Sequence, residues 1–326
     1  MKKWKTVKIV VLDGYTLNPG DNPWDEVARF GELVVYDRTP QELIAKRCAG
    51  AEIVLTNKTR LSAQTLSGLR QLKLVCVLAT GFNVVDLETS SRLGIPVVNV
   101  PEYGSDSVAQ HALALLLELT NRVALYDALV KRGEWSRSRD FTLVAEPLVE
   151  LCGKAMGIVG LGRIGGRVAR IAHSLGMEIL AHNPRQRVAP DGVPVLWLPL
   201  DELFAKADVV SLHCPLTALN EGLVNRARLE LMRPHALIVN TSRGGLINEQ
   251  DLAAALNAGT INGAALDVSA QEPIASDNPL LTARNCIITP HIAWATLSAR
   301  RRLMATTAQN IGAYLAGAPR NVVNGV

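Results

Sequence analysis

Aromatic residues are scarce in this chain. Phe, Trp and Tyr make up 4% of its 326 residues, although 48% are hydrophobic. The core must therefore be aliphatic, which suits strands buried on both faces of a parallel sheet and the helices laid over them. Cysteine is sparse too. The five lie far apart, at positions 48, 76, 152, 214 and 286; the count is odd and no pair has metal-ligand spacing. They read as small buried hydrophobes in a reducing compartment, as Cys76 does within Leu74-Val75-Cys76-Val77-Leu78. No charge of one sign dominates. The 34 basic and 30 acidic residues leave a net +4. The densest basic groups, Arg132 to Arg139, Arg185 with Arg187, and Arg300 to Arg302, do not form the stripe or tail of a nucleic-acid binder. Nor does any apolar run approach the roughly 18 residues of a membrane span. The run after the basic N-terminus stops at Asp13, too short for a secretion signal. These absences predict a cytoplasmic protein with neither nucleic acid nor membrane as partner. A charged fraction of 20% and a mean hydropathy of +0.16 exclude a largely disordered chain.

What is present is an alternation. The length suggests about two domains. Short β-branched runs at 8–12, 33–36, 53–56, 72–79 and 96–100 alternate with helical patterns at 41–49, 62–69 and 86–93. A second series places strands at 155–159, 178–181, 209–212, 237–240, 263–266 and 286–288, with helices at 165–175, 200–205 and 249–258. The last of these has Asn248 as cap and Gly259 as stop. Long helices over 105–132 and 297–315 frame the second series. Repeated βα units predict parallel sheets with right-handed crossovers.

Within the second series Gly160-Leu161-Gly162-Arg163-Ile164-Gly165 is a GxGxxG. Alone the motif is weak among 25 glycines. Here a strand precedes it and a helical pattern follows, which is the context a dinucleotide pyrophosphate needs at a helix N-terminus. The alternative is a tight βα turn without a ligand. The next strand should end in an acid for the adenosine ribose, yet that position is Asn183. An Asn does not repel a 2′-phosphate, and Arg185 and Arg187 can pair with one. The cofactor is therefore NAD(H) or NADP(H), with a slight lean to NADP(H); the other reading has Asn183 bonding a free 2′-hydroxyl.

Three polar residues follow strands of that series: Arg243, Glu272 and His291. Reduction of a 2-oxo acid needs a proton donor at the carbonyl oxygen, which a histidine supplies near neutral pH. A carboxylate orients such a histidine, and an arginine clamps the substrate carboxylate with two bonds. Each residue alone could cap a helix or sit in solvent; together, behind a dinucleotide motif, they indicate a catalytic set.

These residues carry a family resemblance. Gly157 to Gly165, Leu212-His213-Cys214-Pro215-Leu216-Thr217, Val239 to Gly245, Ala265-Leu266-Asp267-Val268, Glu272-Pro273 and Thr289-Pro290-His291-Ile292-Ala293-Trp294 resemble the D-isomer-specific 2-hydroxyacid dehydrogenases along the whole chain. Val10 to Gly20 and Leu78 to Asp86 resemble their glycerate dehydrogenase / hydroxypyruvate reductase branch. The resemblance implies His291 as acid/base, Glu272 as its partner, and Arg243 on the substrate carboxylate and carbonyl. It implies that Ala79, Thr80, Gly81 and the Asn57 loop close over the substrate. It also places Arg163 and Ile164 at the pyrophosphate, Cys214 and Pro215 at the adenosine, and Thr241, Asp267 and Val108 near the nicotinamide. A homodimer through the cofactor domain is implied as well.

The expected fold is α/β, with a Rossmann cofactor domain (102–290) inserted into a flavodoxin-like substrate domain (1–101 and 291–326) and the reaction held in the cleft. The expected activity is reduction of hydroxypyruvate or glyoxylate to D-glycerate or glycolate. Rivals are a phosphoglycerate dehydrogenase, disfavoured by a chain ending 35 residues after His291, and a dinucleotide-sensing binding protein or corepressor. A formate-type oxidoreductase is disfavoured by Glu272. Ser269 stands where the family often has an aromatic, which suggests looser packing. Trp135 and Trp294 could reach the substrate, meet a second subunit or fill packing gaps.

Overall fold

The computed structural model describes residues 7–185 and 188–326. In chain order the elements begin with β1 (Val7–Val11), α1 (Asp25–Ala28), β2 (Gly31–Val35), α2 (Ile44–Arg47) and β3 (Ile53–Thr56). Then come α3 (Ala63–Gly68), β4 (Leu74–Val77), α4 (Leu87–Arg92), β5 (Val97–Val98), α5 (Ser105–Asn121) and α6 (Val123–Lys131). β6 (Ala155–Val159), α7 (Arg163–Ser174), β7 (Glu178–His182), β8 (Val195–Trp197), α8 (Leu200–Lys206) and β9 (Val209–Leu212) follow. The series ends with α9 (Arg226–Leu231), β10 (Leu237–Asn240), α10 (Glu249–Ala258), β11 (Gly263–Leu266), β12 (Cys286–Ile288) and α11 (Leu297–Leu315). The chain divides into two compact units, 1–104 with 295–326, and 105–294. The division falls after Trp294 rather than before His291, so His291 belongs to the second unit.

The first unit is a five-stranded parallel sheet in the order β2-β1-β3-β4-β5. Alternation along each strand feeds two cores. Ile9, Val11, Ile53, Leu55, Leu74 and Cys76 face one side, where Leu303, Met304, Ala308 and Ile311 of α11 cover them. Val10, Val54, Val75 and Val77 face the other, under Ile44 and Leu66. Because both faces are buried, these strands are almost wholly aliphatic. Within the same unit α11 is pinned by Arg300, whose guanidinium binds Asp21 through two nitrogens at 2.5 and 2.6 Å and the Leu17 carbonyl at 3.0 Å.

The second unit is a seven-stranded parallel sheet in the order β12-β11-β10-β9-β6-β7-β8. Ala155 and Val159 of β6 enter one core and Met156 and Ile158 the other. The strand order reverses at β6, between β9 and β7, and ligands bind outside the carboxyl ends of strands at such a reversal.

Several elements differ from expectation. The helix foreseen over 105–132 is broken at Arg122, which adopts φ +51. The Thr120 hydroxyl turns back on the Leu116 carbonyl, and the Glu118 carboxylate accepts from the Ala124 N–H, so α6 starts afresh. β8 and α9 were not foreseen: the first is a three-residue edge strand and the second a six-residue helix capped by Asn225. Among the cysteines, Cys48 and Cys76 are buried as expected, but Cys152 is exposed.

Candidate active site

The glycine turn is built by close contacts. Gly160 follows β6 with φ +100, and a β-carbon there would lie 2.6 Å from the Cys214 nitrogen and the His213 carbonyl carbon. Only glycine fits both demands. At Gly165 a β-carbon would meet the Gly160 carbonyl oxygen at 2.3 Å, so α7 could not approach the strand. Gly162 is different: its β-carbon position is open space. It stands at the N-cap of α7, where backbone can approach an anion. Arg163 and Ile164 occupy the first turn of that helix.

Asn183, just after β7, has a task the sequence does not announce. Its Oδ1 accepts from the Leu161 N–H at 2.8 Å and braces the turn. Its amide NH2 is therefore the group left for a ligand. Arg185 is exposed beside it, while Arg187 lies outside the described residues. On the far side of the turn the Cys214 carbonyl accepts from the Ser242 hydroxyl at 2.6 Å and the Pro215 carbonyl from Asn220 at 2.8 Å. Burial raises the Cys214 thiol pKa, so it stays protonated. Thr241 is 9% exposed, and its Oγ1 finds no hydrogen-bond partner among the described residues. A buried hydroxyl seldom stays unpaired. This orphan, the open approach at Gly162 and the N-terminus of α7 fit a nicotinamide dinucleotide.

The carboxyl ends of three neighbouring strands carry the catalytic candidates. Arg243 follows β10, is exposed, and holds the Ser242 carbonyl through Nη1 at 2.7 Å. Glu272 follows β11 and His291 follows β12, joined through Oε2 and Nδ1 at 2.7 Å. With Nδ1 taken by the carboxylate, Nε2 is the nitrogen left to exchange a proton with a substrate. The Glu272 Oε1 also accepts from the Ser269 N–H at 3.3 Å. Ser269 is well held rather than loose: its hydroxyl donates to Glu249 at 2.8 Å, as does the Ala270 N–H.

His291 adopts φ +54, and the buried Asp267 holds the chain around it. One Asp267 oxygen accepts from Thr289 Oγ1 at 2.6 Å and the Ile292 N–H at 2.9 Å, the other from the Ala293 N–H at 2.8 Å. Burial works to raise the Asp267 pKa. The bonds from His111, Thr289, Ala293 and Ile292 outweigh it and hold the carboxyl below its usual range. Val108 is buried on α5.

Asn57, Ala79, Thr80 and Gly81 lie in the first unit, after β3 and β4. The Asn57 N–H is held by Asp13, which also accepts from the Lys58 and Thr59 N–H groups, and its Nδ2 donates to Thr16 at 2.9 Å. The Ala79 and Thr80 carbonyls accept from the Val100 N–H and from Asn99 Nδ2. The N–H groups of Thr80 and Gly81 have no acceptor among the described residues. Trp135 is half-exposed with Nε1 on the Phe141 carbonyl at 3.1 Å, and Trp294 is partly buried. Asp13, His111 and Glu249 were not foreseen. Asp13 stops the first apolar run, two residues past β1, the one signal that pointed to it.

Residues 113–293 match the family model for the NAD-binding domain of D-isomer specific 2-hydroxyacid dehydrogenases. The chain is 47% identical to a hydroxypyruvate reductase of Blautia hydrogenotrophica, over 98% of this chain and 100% of that protein. It is 37% identical to a glycerate dehydrogenase of Methylorubrum extorquens, over 98% and 99%. Among solved structures it resembles an NADPH-dependent glyoxylate/hydroxypyruvate reductase from Sinorhizobium meliloti in complex with NADP and malonate. There the TM-score is 0.82 and the identity 27%, covering 96% of this chain and 94% of that one.

Proposed function

The chain belongs to the D-isomer-specific 2-hydroxyacid dehydrogenase family, and on that premise we propose that it reduces hydroxypyruvate or glyoxylate to D-glycerate or glycolate. It is an NAD(P)-dependent oxidoreductase acting on a CH–OH group. When bound, the nicotinamide supplies or accepts the hydride. Arg243 grips the substrate carboxylate and polarises its carbonyl. His291 holds a proton on Nε2 for the carbonyl oxygen, and Glu272 fixes the orientation of its ring. The 2.7 Å bond between His291 and Glu272 carries this reading, because it commits one ring nitrogen and frees the other for acid/base work. The relatives named hydroxypyruvate reductase and glycerate dehydrogenase support the substrate class.

NADP(H) is the favoured cofactor. Asn183, fixed by the Leu161 N–H, offers an amide where a carboxylate would repel a 2′-phosphate, and Arg185 adds a positive charge. The second unit also exposes Phe141 (93%), Val144, Leu148 and Trp135, an apolar surface that suits a homodimer. No described helix is long and apolar enough to cross a membrane; the reading places the enzyme in the cytoplasm.

The test mixes purified protein with NADH or NADPH and a panel of 2-oxo acids, following the absorbance of the reduced cofactor. Oxidation with hydroxypyruvate or glyoxylate is expected, and none with any panel member overturns the assignment. Asn183→Asp keeps the acceptor for Leu161 but adds a charge. It should move the NADPH/NADH ratio of kcat/KM toward NADH by about tenfold or more, as like charges brought together cost this much. An unchanged ratio removes Asn183 from cofactor choice.

A further inference from the structure

α5 packs against β10 and β11 and presents two residues one turn apart, Val108 and His111. His111 Nε2 lies 3.1 Å from Thr289 Oγ1 and 3.4 Å from Asp267 Oδ1. The Thr289 hydroxyl gives its only hydrogen to Asp267 at 2.6 Å. It can therefore only accept from the imidazole, and Nε2 of His111 carries the hydrogen. This nitrogen is thus a donor held over an oxygen pair that already bears much of the local structure. Asp267 is 1% exposed. Its carboxylate binds the peptide N–H groups of Ile292 and Ala293, the two residues after His291.

The backbone of His291 needs such a restraint. Its φ of +54 is a left-handed conformation that a residue with a β-carbon adopts only when its surroundings impose it. The Thr289 carbonyl holds the His291 N–H at 3.0 Å on one side, and Asp267 holds the next two N–H groups on the other. Thr289 is thus joined both to the turn and to the carboxylate. A donor that fixes Thr289 Oγ1 and Asp267 Oδ1 fixes the direction in which the His291 ring leaves the backbone.

We propose that His111 is a positioning residue for His291: through Thr289 and Asp267 it holds the 289–293 turn so that the His291 ring stays aligned on Glu272 with Nε2 facing the substrate. This rests on the acid/base role given to His291 above. His111 reaches Thr289 and Asp267 rather than the reacting groups, so its effect should fall on turnover rather than on capture of either ligand. A small misplacement of a proton donor lowers the rate steeply.

The test compares the wild type with His111→Ala, His111→Gln and Thr289→Val. For each, kcat and KM are measured with whichever of hydroxypyruvate and glyoxylate the wild type reduces, cofactor affinity by quenching of the reduced cofactor's fluorescence, and Tm by calorimetry. His111→Ala should lose about tenfold in kcat, while KM and cofactor affinity change less than about threefold. His111→Gln, whose amide can still donate to Thr289, should recover part of that loss. The His111→Ala/Thr289→Val pair should be no slower than the slower single variant, because the two act as a unit. A wild-type kcat in His111→Ala overturns the proposal, and so does a loss shared by kcat, KM, cofactor affinity and Tm, the pattern of general damage. The ring resonances of His291, assigned by their disappearance in His291→Ala, give a readout without turnover. They should move in His111→Ala, and unchanged resonances overturn the proposal. A wild type inert toward every 2-oxo acid would instead refute the reaction assigned above, with the resonances still deciding the role of His111.

Discussion

The seven-stranded sheet carries a buried aspartate beside a histidine at each end, and the two clusters do different work. At the amino end Asp208, 8% exposed, precedes β9. It accepts from the Ala155 N–H at 2.8 Å, Arg233 at 2.9 Å and His235 at 2.7 Å. Its partners join β6, β9 and the approach to β10, and the Arg233 and His235 side chains reach it from the solvent side. At the carboxyl end Asp267 also accepts backbone N–H groups, but the backbone it holds carries His291, with Glu272 and Arg243 on the adjoining strand ends. Residue type does not separate the two clusters. What separates them is position: ligands bind outside the carboxyl ends of parallel strands, and that is where His291 stands with Nδ1 committed to Glu272.

Removing that histidine should break the comparison most visibly. His291→Ala should lower kcat about a thousandfold, within the usual range for general acid–base catalysis, with cofactor affinity nearly intact. Its Tm should change little, since the Asp267 bonds that hold the turn remain. Retained turnover would place the acid elsewhere. The converse holds at the amino end. Asp208→Ala leaves the Ala155 N–H without its acceptor in a buried strand. It should cost about 2–3 kcal/mol of stability by urea unfolding while kcat and KM stay at wild-type values. A kcat loss in Asp208→Ala without loss of stability would erase the distinction between the two ends.

Much of this was legible because burial on both faces leaves so few options. Strands such as Val209–Leu212 and Leu237–Asn240 are aliphatic but for Ser211 and Asn240, and Gly160 and Gly165 sit where a β-carbon would clash with backbone. Arg243, Glu272 and His291 could be found because each lies in the loop that leaves the carboxyl end of a strand. The rest depends on contacts between distant parts of the chain. Nothing in the apolar helix of residues 105–132 says that Arg122 turns left-handed, since the pattern continues through it. Nothing near Ser269 says that Glu249 waits to bind it twenty positions away. His111 looks like a polar interruption of a helix until Thr289 and Asp267 are placed against it. In the sequence Asn183 speaks only of the ribose, as an uncharged neighbour of a 2′-phosphate or a partner of a 2′-hydroxyl, whereas its oxygen is engaged in holding the glycine turn.

Acid titration sharpens the comparison with a smaller effect. Burial opposes ionisation of Asp208, but the bonds from Ala155, His235 and Arg233 prevail and hold its pKa below the usual carboxylate range. Its contribution to stability is thus complete above the ordinary value of 3.8 and fades as pH falls through the lowered folded value. A third histidine behaves differently. His213, at the carboxyl end of β9 against Gly160, meets no carboxylate among the described residues; its Nε2 lies 2.8 Å from the Ser211 hydroxyl. Burial pushes its pKa from 6.5 down to about 4. The unfolded chain therefore takes up a proton near 6.5 that the folded chain refuses until about 4. Between those values unfolding is coupled to proton uptake, so stability falls as pH falls. Urea unfolding near pH 7 and again near pH 5 should show the wild type losing about 1–2 kcal/mol more than His213→Gln. The lower part of that range is expected because the ring keeps a little exposed surface. Equal losses in the two proteins would mean that His213 is solvated, and that the glycine turn rests against a polar wall rather than a dry one.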